Sequence, residues 1–309
     1  MIQNSKEEKL MSAFLTGFQD YLKNQKCVSS NTLQSYVRDI EHFSIYLAAE
    51  NIDNPASVTA DDLQHYIESL EKLGRSASTV TRNIASIRCF YQYLILINIA
   101  SENPAKEIKR EKTEKKPPSI LTGEEIRLLL DQPNVMDPKG CRDKAMIELL
   151  YATGIRVSEL IDLNLQDINL KTGMLHCRRP KSDRIIPIYA EAVASLSDYI
   201  SRVRRIIIDP VGKDGQALFV NLNGHRLTRQ GFWKIIKGYA AQARITKDIT
   251  PHTLRHSFAL HLLQNGADLK DIQEMLGHAD IASTQVYANL LNNRFQNVYN
   301  HCHPMAKKA

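Results

Sequence analysis

The sequence predicts a mainly α-helical chain in two parts: an all-helical first hundred residues, then a mostly helical remainder carrying a small antiparallel β-sheet. Three observations predict this. Apolar residues recur at three- and four-residue spacing through residues 10–94, the period of one helix face. The segment KEIKREKTEKK (106–116) then holds six basic and three acidic residues with no core-forming periodicity, and Pro117-Pro118 follows it. Beyond it, Met174–Cys177 and Arg184–Ile188 are short β-prone runs on either side of a turn, set among longer helical patterns.

Each element has a local reason. Leu10, Phe14, Phe18 and Leu22 make the first apolar stripe; Leu33, Val37, Ile40 and Phe43, with Tyr36 and Leu47, make the second. A third helix starts behind Thr59, an N-cap before Ala60-Asp61-Asp62, and runs to Leu73, where Gly74 stops it. The fourth begins near Ser76 and carries Val80, Ile84, Ile87, Tyr91 and Leu94, with Ser78, Thr79, Arg82 and Ser86 on its other side. Asn103-Pro104 ends the helical pattern. These signals set a helical domain at 1–100, a basic linker at 101–118 and a second domain at 119–309. The linker reads either as a solvated tether or as one that touches a nucleic-acid backbone. In the second domain Thr122-Gly-Glu-Glu125 is a capping box leading into Ile126, Leu129 and Leu130. Further helices fit 141–152, 190–207, 228–243, 251–264, 269–276 and 281–300, and Leu218-Phe219-Val220 reads as a third strand.

Composition narrows the function classes. The chain has 309 residues, 40 Lys+Arg against 34 Asp+Glu and a formal charge of +6, with 43% hydrophobic and 24% charged residues. That is an ordinary globular balance, which excludes wholesale disorder. No apolar run reaches the roughly 18–20 residues that span a bilayer, so no membrane insertion is expected. The N-terminus MIQNSKEEKL lacks the apolar core of a signal peptide. The 5 cysteines (27, 89, 141, 177, 302) form no C-x-x-C pair and read as reduced thiols of a cytoplasmic protein. The mild positive charge permits a nucleic-acid partner without demanding one.

Three segments could carry chemistry. In ITPHTLRHSFALHLL (249–263), Thr250 is an N-cap and Pro251 fits the first turn; His252, Arg255 and His256 share one face near a helix N-terminus, a natural phosphate site. A surface face with a satisfied histidine is the plainer alternative. In YATGIRVSEL (151–160), Gly154 ends a helix and Arg156 follows, with Glu159 three residues on. This is either a surface ion pair or an arginine aimed at a phosphate. In EMLGHADIASTQVYANL (274–290), Gly277 closes one helix, Asp280 caps the next, His278 sits between them, and Tyr287 lies about two turns downstream.

Taken together, ATGIRVSEL, HTLRHSFA-x-HLL and LGHADIASTQVYA strongly resemble the signature stretches of the tyrosine recombinase (phage integrase) family, and most of all its bacterial Xer members. The resemblance covers the whole chain. It implies an N-terminal four-helix core-binding (SAM-like) domain and a C-terminal catalytic domain. It makes Tyr287 a nucleophile and gathers Arg156, His252, Arg255 and His278 on a scissile phosphate. The family's remaining catalytic residue is a lysine in a glycine-flanked hairpin turn. Here the turn reads Arg179-Pro180-Lys181-Ser182-Asp183-Arg184, which leaves Lys181 as its lysine and Arg179 as the rival. The resemblance implies a 3′-phosphotyrosyl intermediate, a Holliday junction and chromosome-dimer resolution at cell division. The implied partners are a double-stranded DNA recombination site and a homo- or hetero-tetramer with a related recombinase, with room for a DNA translocase.

The chemistry agrees with these roles. Two guanidiniums can meet the phosphate charge with forked hydrogen bonds. A tyrosine needs a base at neutral pH, for which His252 is a candidate, and the departing 5′ oxygen needs a proton, a task suited to Lys181. Side-chain cations neutralise the charge, so neither metal nor other cofactor is expected. A mobile-element integrase, a relaxing enzyme of the type IB topoisomerase kind, and a non-catalytic DNA-binding regulator are the rival readings.

Overall fold

A computed structural model describes residues 2–108, 118–178, 182–208, 215–278 and 280–290. The chain divides into two compact units, Met1–Lys115 and Lys116–Ala309.

The regular elements among the described residues of the N-terminal unit are all helical. Helix α1 (Ile2–Asp20) runs into a π-helical turn (Tyr21–Gln25), and α2 (Ser30–Ala49), α3 (Ala60–Lys72) and α4 (Ala77–Leu96) follow. Each later helix starts behind a side-chain cap: Ser29 on Thr32 N–H, Thr59 in a reciprocal box with Asp62, and Ser76 on Thr79 N–H. The expected stripes meet in one core that includes Phe18, Ile40, Phe43, Leu63, Ile84 and Phe90. Phe18 and Phe90 pack edge to face with centroids 5.2 Å apart.

The polar side of α4 is partly turned inward. Ser86 is buried, and its hydroxyl donates to Asp39 Oδ2 at 2.8 Å. Arg82 is committed to the same carboxylate by two bonds, Nε to Oδ2 at 2.9 Å and Nη2 to Oδ1 at 2.7 Å. Half of the Ser78–Thr79–Arg82–Ser86 set is therefore bound to a structural carboxylate. Ser78, and on α2 Asn31, Gln34 and Arg38, remain exposed.

In the C-terminal unit, α5 (Gly123–Leu130) opens on the expected Thr122–Glu125 box. Helix α6 (Pro138–Thr153), capped by Asp137, is buried on every side and forms the centre of the unit. After the short α7 (Val157–Asp162) come β1 (Ile168–Asn169), β2 (Met174–Cys177) and β3 (Arg184–Pro187), antiparallel in the order β1-β2-β3. Their register pairs Ile168 with Leu175 and Cys177 with Arg184. The helices α8 (Ala190–Asp198), α9 (Arg205–Ile208), α10 (Arg229–Gln242), α11 (Pro251–Gln264) and α12 (Leu269–Leu276) follow, with a π-helical turn at Tyr199–Arg204 joining α8 to α9. A last helix, α13, covers 282–290; the rest of the expected helix to residue 300 lies outside the described residues.

The sheet's third strand is β1, not Leu218-Phe219-Val220. That apolar run is fully buried but makes only isolated bridges, Asn164 with Ala217 and Val220 with Arg226. Its backbone is satisfied elsewhere, Leu218 N–H by Leu163 carbonyl and Val220 N–H by the Tyr199 hydroxyl. A short buried run signals burial more than pairing, and a two-residue strand is too short to show a period. Among the described residues no helix is long and apolar enough to cross a membrane.

Candidate active site

Two glycine-closed turns and one helix N-terminus build the site. Helix α6 stops at Gly154 in the left-handed region (φ 59°). A Cβ there would run into the Phe258 ring, so glycine is required by both conformation and space. Arg156 then caps α7: its backbone N–H donates to Glu159 Oε2 at 2.7 Å and its Nη1 to Oε1 at 3.2 Å. Helix α11 opens on the Thr250–Thr253 box with Pro251 in the first turn, as the sequence predicts. It presents His252, Arg255 and His256 within its first two turns. Helix α12 closes at Gly277 (φ 62°), where a Cβ would strike the Arg184 guanidinium.

The arginines lock these turns together. Arg255 is buried and donates from Nη1 to the Gly154 carbonyl at 2.6 Å and from Nη2 to the Leu276 carbonyl at 2.7 Å. Arg156 Nη2 donates to the Gly277 carbonyl at 3.3 Å. Each guanidinium carries five N–H groups, so both keep donors beyond these bonds.

Glu159, only 3% exposed, anchors the assembly. It also accepts from Arg184, Nη2 to Oε2 at 3.0 Å and Nη1 to Oε1 at 3.3 Å, while Arg184 Nε donates to the Met275 carbonyl at 2.7 Å. Burial pushes the Glu159 carboxyl up, but the bonds from Arg184 and the Arg156 N–H outweigh it and hold the group below the usual carboxylate range.

The histidines and the tyrosine respond to this cationic field. Burial, then Arg255 and Arg156, press the His278 imidazole down to about 4. Its Nδ1 is bonded to the buried Thr284 hydroxyl at 2.9 Å, which fixes the ring. Burial, then His252 and Arg255, likewise press His256 to about 4, and His252 is lowered by burial and by Arg255, Arg229 and Arg156. Arg255 itself is pushed down to about 10, chiefly by burial, and stays cationic at neutral pH. Tyr287 is 2% exposed among Phe258, Ala259, Ile272 and Leu276. Burial raises its pKa, Arg255 opposes the rise, and its hydroxyl lies 2.8 Å from His256 Nδ1. The site is thus built to receive an anion: its cations outnumber its carboxylates, and its imidazoles are neutral at pH 7.

The structure brings Arg156, His252, Arg255, His278 and Tyr287 into one electrostatic neighbourhood. Lys181 and its rival Arg179 lie outside the described residues. His256, not His252, is the partner of the tyrosine hydroxyl; the two imidazole rings stand 6.3 Å apart. Sequence reasoning placed His256 with His252 and Arg255 on a phosphate-binding face and did not pair it with the tyrosine. It missed Arg184 and the burial of Glu159: the Arg156–Glu159 pair expected on a surface has its acid in the interior. The only available signal was chemical, an acid in register with the Arg156 turn and an arginine closing the hairpin.

Residues 119–294 match the phage integrase family, and residues 15–97 match the phage integrase N-terminal SAM-like domain. The chain belongs to the phage integrase family. Its relatives there are more particular. The tyrosine recombinase XerD of Oceanobacillus iheyensis is 45% identical over 294 residues, 94% of this chain and 97% of that protein. The tyrosine recombinase XerD of Halalkalibacterium halodurans is 42% identical over 294 residues, 94% of this chain and 98% of that one. Among solved structures, the XerH site-specific recombinase bound to palindromic difH substrate, a post-cleavage complex, has a TM-score of 0.73 at 21% identity. The match covers 92% of this chain and 83% of that one, and it shows a shared fold. The protein is a site-specific tyrosine recombinase, an enzyme that breaks and rejoins DNA.

Proposed function

We propose that this recombinase cuts duplex DNA with Tyr287. Its oxygen attacks the scissile phosphorus, the bond to the 5′ oxygen breaks, and a 3′-phosphotyrosyl link holds the strand until the 5′ hydroxyl of a partner strand reverses the step. Arg156, His252, Arg255 and His278 gather on the phosphate, and the two guanidiniums meet its non-bridging oxygens. Lys181 protonates the departing 5′ oxygen. Residues 1–100 and 119–309 grip the duplex as binding and catalytic domains, with 101–118 between them. Four protomers, of this chain alone or with a related recombinase, exchange strands through a Holliday junction. The 42% and 45% identity to proteins named XerD supports a chromosomal role, the resolution of chromosome dimers before division in the cytoplasm, over that of a mobile-element integrase.

The observation that carries this reading is a buried tyrosine beside Arg255, which is itself coupled to Arg156, with the backbone anchors of both arginines leaving further N–H groups for a ligand. A nicked suicide duplex tests it. The chain should form a covalent adduct that maps to Tyr287, and Tyr287→Phe should bind the duplex without forming one. An adduct with the Phe variant, or none with the unaltered chain, refutes the assignment.

A further inference from the structure

Attack by Tyr287 leaves its proton without a destination, and the residue after Arg255 provides one. His256 Nδ1 lies 2.8 Å from the tyrosine oxygen, with the ring centroids 5.7 Å apart. Phe258, Ala259, Ile272 and Leu276 pack around the tyrosine and leave bulk water little approach to the pair. Two buried tyrosines of the N-terminal unit are satisfied by groups that cannot usefully take a proton at neutral pH: Tyr91 donates to the Pro55 carbonyl at 2.7 Å and Tyr66 to Asn83 Oδ1 at 3.2 Å. A carbonyl or an amide would have satisfied Tyr287 equally. Tyr151 also meets an imidazole, His261 at 2.9 Å; what sets His256 apart is its place beside Arg255 on the tyrosine that the phosphate-binding cations face, where its basicity can be used.

We propose that His256 is the catalytic proton acceptor for Tyr287, a reading that rests on Tyr287 being the nucleophile. The proton passes from the tyrosine oxygen to His256 Nδ1 as the oxygen–phosphorus bond forms and the bond to the 5′ oxygen breaks. That oxygen is protonated from the hairpin side, and rejoining returns the proton from His256 to the tyrosine. Burial, His252 and Arg255 keep the imidazole neutral, with a lone pair on Nδ1 when the other nitrogen carries the hydrogen. In that state it is too weak a base to ionise a phenol. The scissile phosphate changes this, because its negative charge offsets the Arg255 cation that, after burial and His252, repels a proton from the ring. The base therefore strengthens only when substrate is present.

The test uses the full chain and the nicked suicide duplex, following adduct formation in a single turnover. His256→Asn keeps an acceptor near the Nδ1 position and removes the basicity. It should slow adduct formation by about 10²-fold or more while duplex affinity stays within about threefold. Placing 2,3-difluorotyrosine, a more acidic phenol, at position 287 should shrink that deficit to less than about tenfold, because an easily ionised nucleophile needs less help. The control is His261→Asn: His261 pairs with Tyr151 at 2.9 Å on the same helix, and its loss should leave the rate unchanged. Adduct formation by His256→Asn at the unaltered rate overturns the proposal, as does a deficit that the fluorinated tyrosine leaves intact or that His261→Asn reproduces. If His256→Asn fails to bind the duplex, His256→Gln is read by the same criteria. A chain that forms no adduct even with His256 in place refutes the nucleophile assignment, a separate result visible in the same gel.

Discussion

Asp39 in the N-terminal unit and Glu159 in the C-terminal unit are both buried carboxylates that grip arginine, and they differ in how the charge is balanced. Asp39 meets one guanidinium, Arg82, and the Ser86 hydroxyl, so charge cancels within the cluster. Glu159 meets two, Arg156 and Arg184, and Arg255 bears electrostatically on all three. Three cations share one acid there, and burial together with this positive field keeps the nearby imidazoles neutral. A balanced cluster locks a helix pair. One left with surplus positive charge, its cations held by a single acid and by backbone carbonyls, is suited to receive an anion.

The contrast can be broken first at the arginines. Arg255→Ala or Arg156→Ala should cut adduct formation by orders of magnitude, each removing a clamp worth about 3 kcal/mol or more in a water-poor site. Duplex affinity should fall only slightly, since most of it comes from many other backbone contacts. Arg82→Ala should leave the chemical step intact and lower stability instead. Loss of cleavage on a par with Arg255→Ala would erase the distinction between the clusters.

Next comes Lys181. Lys181→Ala should lower cleavage and spare binding, and a substrate with bridging 5′ sulfur, which leaves without protonation, should restore most of the rate. Rescue of an Arg179 variant by sulfur, with the Lys181 variant left defective, would move the acid to Arg179.

Stability should separate the two acids more modestly. Glu159→Gln strands the buried Arg184 and should cost about 3–5 kcal/mol. Asp39→Asn should cost about 1–2 kcal/mol, because Arg82 is partly exposed and can turn to water. Denaturant midpoints measure both, and the reverse order would contradict the account.

The smallest effect is on pH dependence. His256 and His278 titrate at about 4 in the folded unit, below the unfolded histidine value of about 6.5. Below that value the unfolded chain binds protons that the folded one refuses. Stability present at pH 7 is therefore lost as pH falls from about 6.5 towards about 4, by about 1 kcal/mol or more per histidine after allowing for partial solvent screening. Thermal midpoints across this window should fall less steeply for His278→Gln.

Much of the architecture was legible because its signals are local. The Thr59, Ser76, Thr122 and Thr250 caps sit within three residues of the N–H groups they satisfy, and the helix stripes need only a turn or two to show. The segments bearing Arg156, His252, Arg255, His278 and Tyr287 were legible for the same reason. The pairings between them were not. His256 reaches Tyr287 across 31 positions and Arg184 reaches Glu159 across 25, and both depend on the reversal at Gly277 and the closing of the hairpin. The misread strand at Leu218-Phe219-Val220 makes the same point: apolar content reported burial, while pairing was decided by distant neighbours.

The central claim is that Arg156 and Arg255 exist to neutralise the charge of one phosphate, and a substrate without that charge tests it most directly. Single-turnover cleavage is compared on a duplex with the normal scissile phosphate and on one carrying a neutral methylphosphonate there, for the unaltered chain and for Arg255→Ala. The account predicts that the large defect of Arg255→Ala on phosphate shrinks to a small fraction of itself on methylphosphonate, where no anionic charge awaits the guanidinium. An equal defect on both substrates would mean that Arg255 only holds the turns at Gly154 and Leu276 in place, and the charge-receptor account would be wrong.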